Sequence, residues 1–467
     1  MSYQEFLAKK DFTNLQAGFD ADDALLPSGL FEFQKAIVKW ALKKGRAAIF
    51  ADTGLGKTAM QLAWANAVHQ YTGNRVLIVA PLCVAQQTVS EAEKFGIGGV
   101  KYIREHERDT GIKVTNYEML EHFREGIESN FYDGVILDES SILKHQDSKT
   151  RAKIIELTSK IPFKLSCTAT PSPNDHMELG SQAEFLNVMS ASEMLAMFFT
   201  HDSGETSKWR LKGHGALKFW QWLSTWAVCI KRPSDLGFSD EGYNLPPLEM
   251  IEVKVETGKK LSESLFGEPA RTLSERIEAR RITVDERVEK CAEIVNNASG
   301  PFIVWCNLND ESKKIAQAVD GAVEVTGSDK ISVKESRITG FTNGESRVIV
   351  SKPSITGFGL NWQHCSQMAF VGLNDSFESL YQAVRRCYRF GQKNPVRVYL
   401  ISADLEGETL ANLKEKERKN EEMSAQMVEH MREFTRREVL KTKNEKLEYR
   451  ANMDTQLPTW IAKNEMH

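Results

Sequence analysis

The sequence predicts an α/β protein with two parallel sheets, a helical region between them and a charged helical tail. Three observations carry this. Short apolar runs alternate with helical patterns in two separate sets, the alternation lapses between about residues 171 and 283, and a glycine-rich loop follows the first run. The first set is Ala47 to Phe50, Val76 to Val79, Gly134 to Leu137 and Lys164 to Ser166. The second is Phe302 to Trp305, Val348 to Val350, Met368 to Val371 and Val396 to Ile401. Such continuous apolar runs suit strands buried on both faces of a parallel sheet.

Between the sets, Trp209, Trp220, Trp222 and Trp226 and the Pro-containing Leu245 to Pro247 fall in a region without that alternation. After Gly407 the chain is highly charged, with Met423, Met427, Met431 and Phe434 in a helical stripe. The expected domains are therefore a first lobe over residues 1–245 with a helical extension from about 172, a second lobe over 246–405, and a helical tail over 406–467. The 467 residues allow two to four domains at about 100–200 residues each.

Composition narrows the class. Hydrophobic residues make up 41% and charged residues 27%, which suits a soluble chain with real cores. No apolar run is long enough to cross a bilayer, and the opening MSYQEFLAKKDF lacks a signal peptide's apolar stretch. Seven scattered cysteines without a C-x-x-C pair exclude a disulfide framework and a zinc site, and a reducing cytoplasm is the expected home. A net charge of −4 leaves a nucleic-acid partner undecided, because backbone amides and local basic clusters can bind phosphate on an acidic surface.

The chemistry starts at ADTGLGKT, Ala51 to Thr58, between the first apolar run and a helical stretch from Ala59 to Tyr71. Gly54 and Gly56 let successive N–H groups, with that of Leu55, point at phosphate oxygens; Lys57 adds a point charge and Thr58 a hydroxyl for Mg²⁺. Asp138 and Glu139 follow the apolar run Gly134 to Leu137. Beside a phosphate loop, Asp138 is assigned to the metal and Glu139 to the base that deprotonates the attacking water. Far downstream, YQAVRRCYRFGQ (Tyr381 to Gln392) places Arg386 and Arg389 three residues apart, hence on one helical face with Gln382 a turn earlier.

Taken in order, these segments resemble a superfamily 2 helicase of the Swi/Snf-like branch, from about Leu30 to Ile401. LFEFQ, ending in Gln34, resembles the segment whose glutamine reads adenine. VLIVAPLCVAQQ (with Pro81) and VTNYEML (with Thr115) resemble the two that grip a nucleic-acid backbone. DESSILKH keeps the acidic pair, with Ser140 and Ser141 where Ala-His is commoner. LSCTATPSPND resembles the motif coupling the ATP and nucleic-acid sites, and its Thr168–Ala169–Thr170 is closer to the general helicase pattern than to the branch's usual G-T-P. SITGFGLNWQ, with Gly357 and Asn361, and QAVRRCYRFGQ complete the second lobe; the latter aligns Arg386 and Arg389 as the ATP-facing pair and leaves Arg385 as an extra.

The resemblance implies two RecA-like lobes and a motor in a bacterial or phage-infected cell that hydrolyses ATP with Mg²⁺ and moves along duplex DNA. It implies nucleotide contacts from Gln34, Gly54 to Thr58, Gly357 and Gln382, and nucleic-acid contacts from Pro81, Thr115, Thr170 and Asn361. A strand-separating DNA or RNA helicase is the alternative, as is an ATP-gated module that recruits a partner enzyme. A nuclease or methyltransferase could be such a partner, and a monomer is the default state. Trp209, Arg210, Lys212 and His214 admit two readings, a nucleic-acid contact or a hydrophobic anchor with a cationic rim, and the second is favoured.

Overall fold

The computed structural model of the chain describes residues 17–144, 148–172, 175–201, 209–259, 273–356, 361–374, 376–406 and 409–440. The first lobe is built on β1 (Arg46–Ala51), β2 (Arg75–Ala80), β3 (Lys101–Tyr102), β4 (Ile112–Asn116), β5 (Tyr132–Asp138) and β6 (Phe163–Thr168). A two-stranded hairpin, β7 (Phe199–His201) and β8 (Trp209–Leu211), precedes β9 (Ala227–Ile230). The lobe's sheet has the order β3-β4-β2-β5-β6-β1-β9, with every pairing parallel. Helices cover both faces, and β2, β4 and β6 are buried along their whole length.

The second lobe contains β10 (Leu248–Val255), β11 (Phe302–Cys306), β12 (Ala322–Val325), β13 (Val348–Ser351), β14 (Gln367–Val371) and β15 (Val396–Ala403). Its order is β10-β15-β14-β11-β13-β12, again all parallel. All eight strands read from apolar runs are present. Of those not read as strands, β4 is an interior strand whose Lys113, Thr115 and Asn116 break the apolar run although it is buried, and the others are short or sit at an edge. β3 has two residues, β10 and β12 are the outer strands of the second sheet, and β9 is an outer strand of the first. Edge strands have one partner and often one wet face, as the exposed positions along β10 show, whereas β9 is apolar and buried throughout.

Parallel sheets gather chemistry at the carboxyl ends of their strands. Here the phosphate loop leaves the end of β1, the acidic pair closes β5 and Thr168 closes β6.

In the intervening region the described tryptophans pack into an aromatic core. Trp220, Trp222 and Trp226 are buried with Phe198, Phe199 and Phe219, and Trp209 packs partly buried against the same cluster. Lys212 lays its Nζ on the Ala196 and Met197 carbonyl oxygens at 2.8 and 3.2 Å. Trp209 and Lys212 thus form an anchor; the side chain of His214 lies outside the described residues.

The long helix Thr409–Val439 begins on the second lobe, where Leu413 is buried in its core and Lys414 pairs with Glu252. It ends on the first. Met427, Val428 and Met431 enter the aromatic core, and Lys44 pairs with Glu438 at 2.7 Å with the two side chains only 4% and 14% exposed. The helix is therefore a strap across both lobes, and the buried methionines of its stripe, Met427 and Met431, pack on the first. Met431→Ala should destabilise the protein by about 2–5 kcal/mol through the lost contacts and the cavity left behind, measured by denaturant unfolding.

Lys164 is fully buried in β6, donating Nζ to Phe185 O (2.9 Å) and Asn187 Oδ1 (3.2 Å). Burial pulls its amine down to about 7. An unfolded lysine holds its proton to about 10.4, so between the two values the unfolded chain binds more protons and stability rises with pH. Lys164→Met is expected to flatten the rise of the thermal midpoint across that window; an unchanged slope would show that Lys164 is charged in its buried position.

Candidate active site

The phosphate loop curls because two glycines hold left-handed backbone, Gly54 at φ +90° and Gly56 at φ +78°. Both are also hemmed in. A Cβ at Gly56 would collide with Gln34 Nε2, and one at Gly54 would lie 2.9 Å from Phe390 N of the second lobe. Gln34 is buried, donating Nε2 to Leu55 O at 2.9 Å and accepting Phe31 N–H at 2.9 Å. It ties the first helix, Glu32–Lys44, to the loop. The helix Lys57–Thr72 follows at once, so its free N–H groups and dipole point at the loop. Lys57 Nζ rests on Ala51 O at 2.9 Å.

The acids sit at the end of β5. Asp138 is buried and accepts Gln61 Nε2 at 2.7 Å. Burial raises its carboxyl above the ordinary range against the opposing pull of Gln61, Lys57 and Arg386. Glu139 holds φ +54°, a left-handed backbone that costs a non-glycine residue about 1–3 kcal/mol and is kept where surroundings enforce it. Burial pushes its carboxyl up to about 6, with Lys57 opposing and Asp138 adding to the rise. Thr168 Oγ1 reaches Glu139 Oε2 at 3.4 Å.

Ser140 explains its own presence. Its hydroxyl hydrogen-bonds the Ser166 hydroxyl at 2.8 Å, Ser166 donates to Gln182 Oε1, and Gln182 Nε2 donates to Ser140 O at 2.9 Å. This buried polar network clamps the turn that carries Glu139 onto β6.

The second lobe brings its arginines to the same place. The helix Phe377–Val384 ends before Arg386, so Arg386 and Arg389 do not share a helical face as their spacing implied. They lie in the turns that follow, where Arg389 N bonds Cys387 O at 3.0 Å and Gly391 takes φ +89°. Gly391 turns the chain beyond both arginines, after the helix has already ended at Val384. Arg386 is buried, with Nε on Gln382 O (2.9 Å) and Nη2 on Gln382 Oε1 (3.1 Å), and its charge is felt by both acids. Arg389 has its Cα 3.7 Å from a Cβ built on Gly54. Gln382 is thus a buried support beneath Arg386. Gly357 lies outside the described residues.

The donors fit Mg²⁺ held with a nucleotide. Thr58 offers a hydroxyl and Asp138 a carboxylate, both hard oxygen ligands. Among the described residues no three His, Cys, Asp or Glu cluster to hold a metal alone, so phosphate oxygens would complete the shell.

The four residues expected at nucleic acid are not together. Pro81 and Asn361 line an interlobe cleft of about 980 Å³, with Glu139 and Lys144 on its wall. Thr115 is fully buried in β4, and inward-facing β positions in a sheet covered on both sides offer nothing to a surface ligand. Thr170, 3% exposed, lines a separate cavity of about 410 Å³ beneath the strap helix. Gln61 and Glu378 in the site were not singled out in the sequence, whereas Lys144 belongs to the segment that carries the acidic pair. Gln61 steadies Asp138, while Lys144 and Glu378 form an ion pair across the cleft.

Two parallel-sheet lobes, one bearing a phosphate loop and the other closing on it, define the RecA-like double-lobed helicase fold. Residues 33–204 match the SNF2-related domain, and residues 286–391 match the helicase conserved C-terminal domain. The chain belongs to the Swi/Snf-like branch of the superfamily 2 helicases, whose members use ATP. It is similar in fold to a fragment assigned as the HsdR subunit of a type I restriction enzyme from Vibrio vulnificus, at 14% identity and TM-score 0.53, over 88% of this chain and 70% of that one. The Sulfolobus solfataricus SWI2/SNF2 ATPase core in complex with dsDNA matches at 18% identity and TM-score 0.41, over 89% of this chain and 97% of that one. No curated protein matches. Among the described residues no helix is long and apolar enough to cross a membrane.

Proposed function

We propose that the chain is an ATP-dependent motor that translocates on duplex DNA. The observation that carries the reading is the seating of the second lobe's Arg389–Phe390 segment against Gly54 of the phosphate loop. Loop, acidic pair and arginines then act on one nucleotide. Lys57 and the loop amides hold the phosphates, Thr58 and Asp138 hold Mg²⁺, which neutralises phosphate charge when bound, and Glu139 takes the proton of the attacking water. Arg386 and Arg389 meet charge that develops on the γ-phosphate. Glu139, forced towards neutrality by burial, is poised to accept a proton near physiological pH.

Pro81 and Asn361 come from opposite lobes, so a strand gripped in the cleft would be pulled as the lobes open and close. Membership of the Swi/Snf-like branch favours duplex DNA as the track. Buried, unpaired thiols at all six cysteines whose side chains are described suit a reducing cytoplasm. Thr168–Ala169–Thr170 favours the second reading, a strand-separating helicase. A displacement assay decides. Release of a third strand from a DNA triplex without separation of a forked duplex is expected, and robust fork unwinding would overturn translocation in favour of the helicase.

A further inference from the structure

Asp52 opens the phosphate loop, and its backbone N–H is fixed to Ile230 O of β9 at 3.0 Å. Its carboxylate is held by the other lobe. Oδ2 accepts from Arg385 Nη2 at 3.1 Å, while Oδ1 accepts from the Tyr381 hydroxyl and from Thr53 N–H at 2.6 Å. The two charged side chains are 16% and 19% exposed, so water screens the pair little. The Arg385 guanidinium lies 5.1 and 5.3 Å from the ring centroids of Tyr381 and Tyr388, which orient its planar fork before it meets the carboxylate.

The pair joins two chemical segments at their roots. Asp52 stands two residues before Gly54, and Arg385 immediately precedes Arg386. Any slip between the lobes at this point moves the arginines relative to the loop. We infer that Arg385 is a positioning residue, whose pairing with Asp52 sets the register in which Arg386 and Arg389 meet the phosphate loop, without touching nucleotide itself. This rests on the ATPase reading above. Arg385 was the arginine that motif alignment left without a role; its partner shows why a cation stands there.

The test is a double-mutant cycle with Arg385→Gln, Asp52→Asn and the two combined, each checked for an unchanged thermal midpoint without ligand. Loss of register of about 1 Å costs of order 10²-fold in rate, so each single change should lower ATP turnover with duplex DNA by that order. The double variant should be no worse than the poorer single, because only one interaction is lost. Arg385→Lys, which keeps charge without the fork, should fall between. Losses that multiply in the double, or normal turnover in Arg385→Gln, would overturn the inference.

A second readout separates this from failure of the motor reading. ADP with beryllium fluoride should raise the thermal midpoint of the wild type by closing the lobes on the phosphate mimic. That shift should shrink in each single variant and no further in the double. If wild-type turnover ignores every nucleic acid, the motor reading fails, and the pairing still stands or falls on whether these shifts are non-additive.

Discussion

Glu139→Gln lowers nucleic-acid-stimulated ATP hydrolysis by about 10²–10⁴-fold, the range for removal of a general base, and leaves ATP affinity nearly unchanged. The isosteric amide keeps the side chain's volume and can still meet Thr168, so the turn after β5 stays folded. Only the capacity to accept a proton is lost. The left-handed backbone at Glu139 directs this argument to the glutamate. A residue held in a costly conformation by the Ser140–Ser166–Gln182 network is held for its position. Single-turnover hydrolysis beside equilibrium binding of a fluorescent ATP analogue measures both terms. Comparable loss of binding would mean that Glu139 supports the loop and is not the base.

Arg389→Ala is the second large effect, a loss of about 10³–10⁵ in turnover if it acts as an arginine finger. It is a cleaner probe than Arg386→Ala. Arg386 is 3% exposed and braces Gln382, so its truncation would leave a buried amide without its partner and disturb the second lobe. Arg389 is only partly buried beside Gly54. Its truncation removes a cation whose backbone lies beside Gly54, while the lobe's core remains. Near wild-type turnover in Arg389→Ala with nucleic acid present would remove it from the catalytic set.

Both effects fall on residues that were visible in the sequence, and the reason is physical. A phosphate loop needs glycines at fixed offsets and strand–loop–helix context, so Gly54, Gly56 and Lys57 announce themselves. Central strands such as β2 and β11 are buried on both faces and read as unbroken apolar runs. What stayed hidden depends on pairs distant in sequence. Asp52 and Arg385 look like a loop residue and a surplus cation until the fold puts them 3.1 Å apart. Thr115 matched a nucleic-acid-gripping segment by its order along the chain, yet β4 buries its side chain between helices and sheet. Spacing also misled at Arg386 and Arg389. Three residues imply one helical face only while the helix continues, and here it stops at Val384, before either arginine. The strap helix shows the same limit. Its methionine stripe reveals an apolar face but not that Leu413 and Met431, on one helix, enter the cores of different lobes.

The central claim is that ATP hydrolysis at the interlobe site answers to nucleic acid. Steady-state ATP hydrolysis by the wild type and by Lys57→Ala, each alone and with duplex DNA, single-stranded DNA or RNA, tests it most directly. Strong stimulation by duplex DNA is expected in the wild type and none in Lys57→Ala. Turnover that no nucleic acid stimulates, or stimulation that survives loss of Lys57, would contradict it.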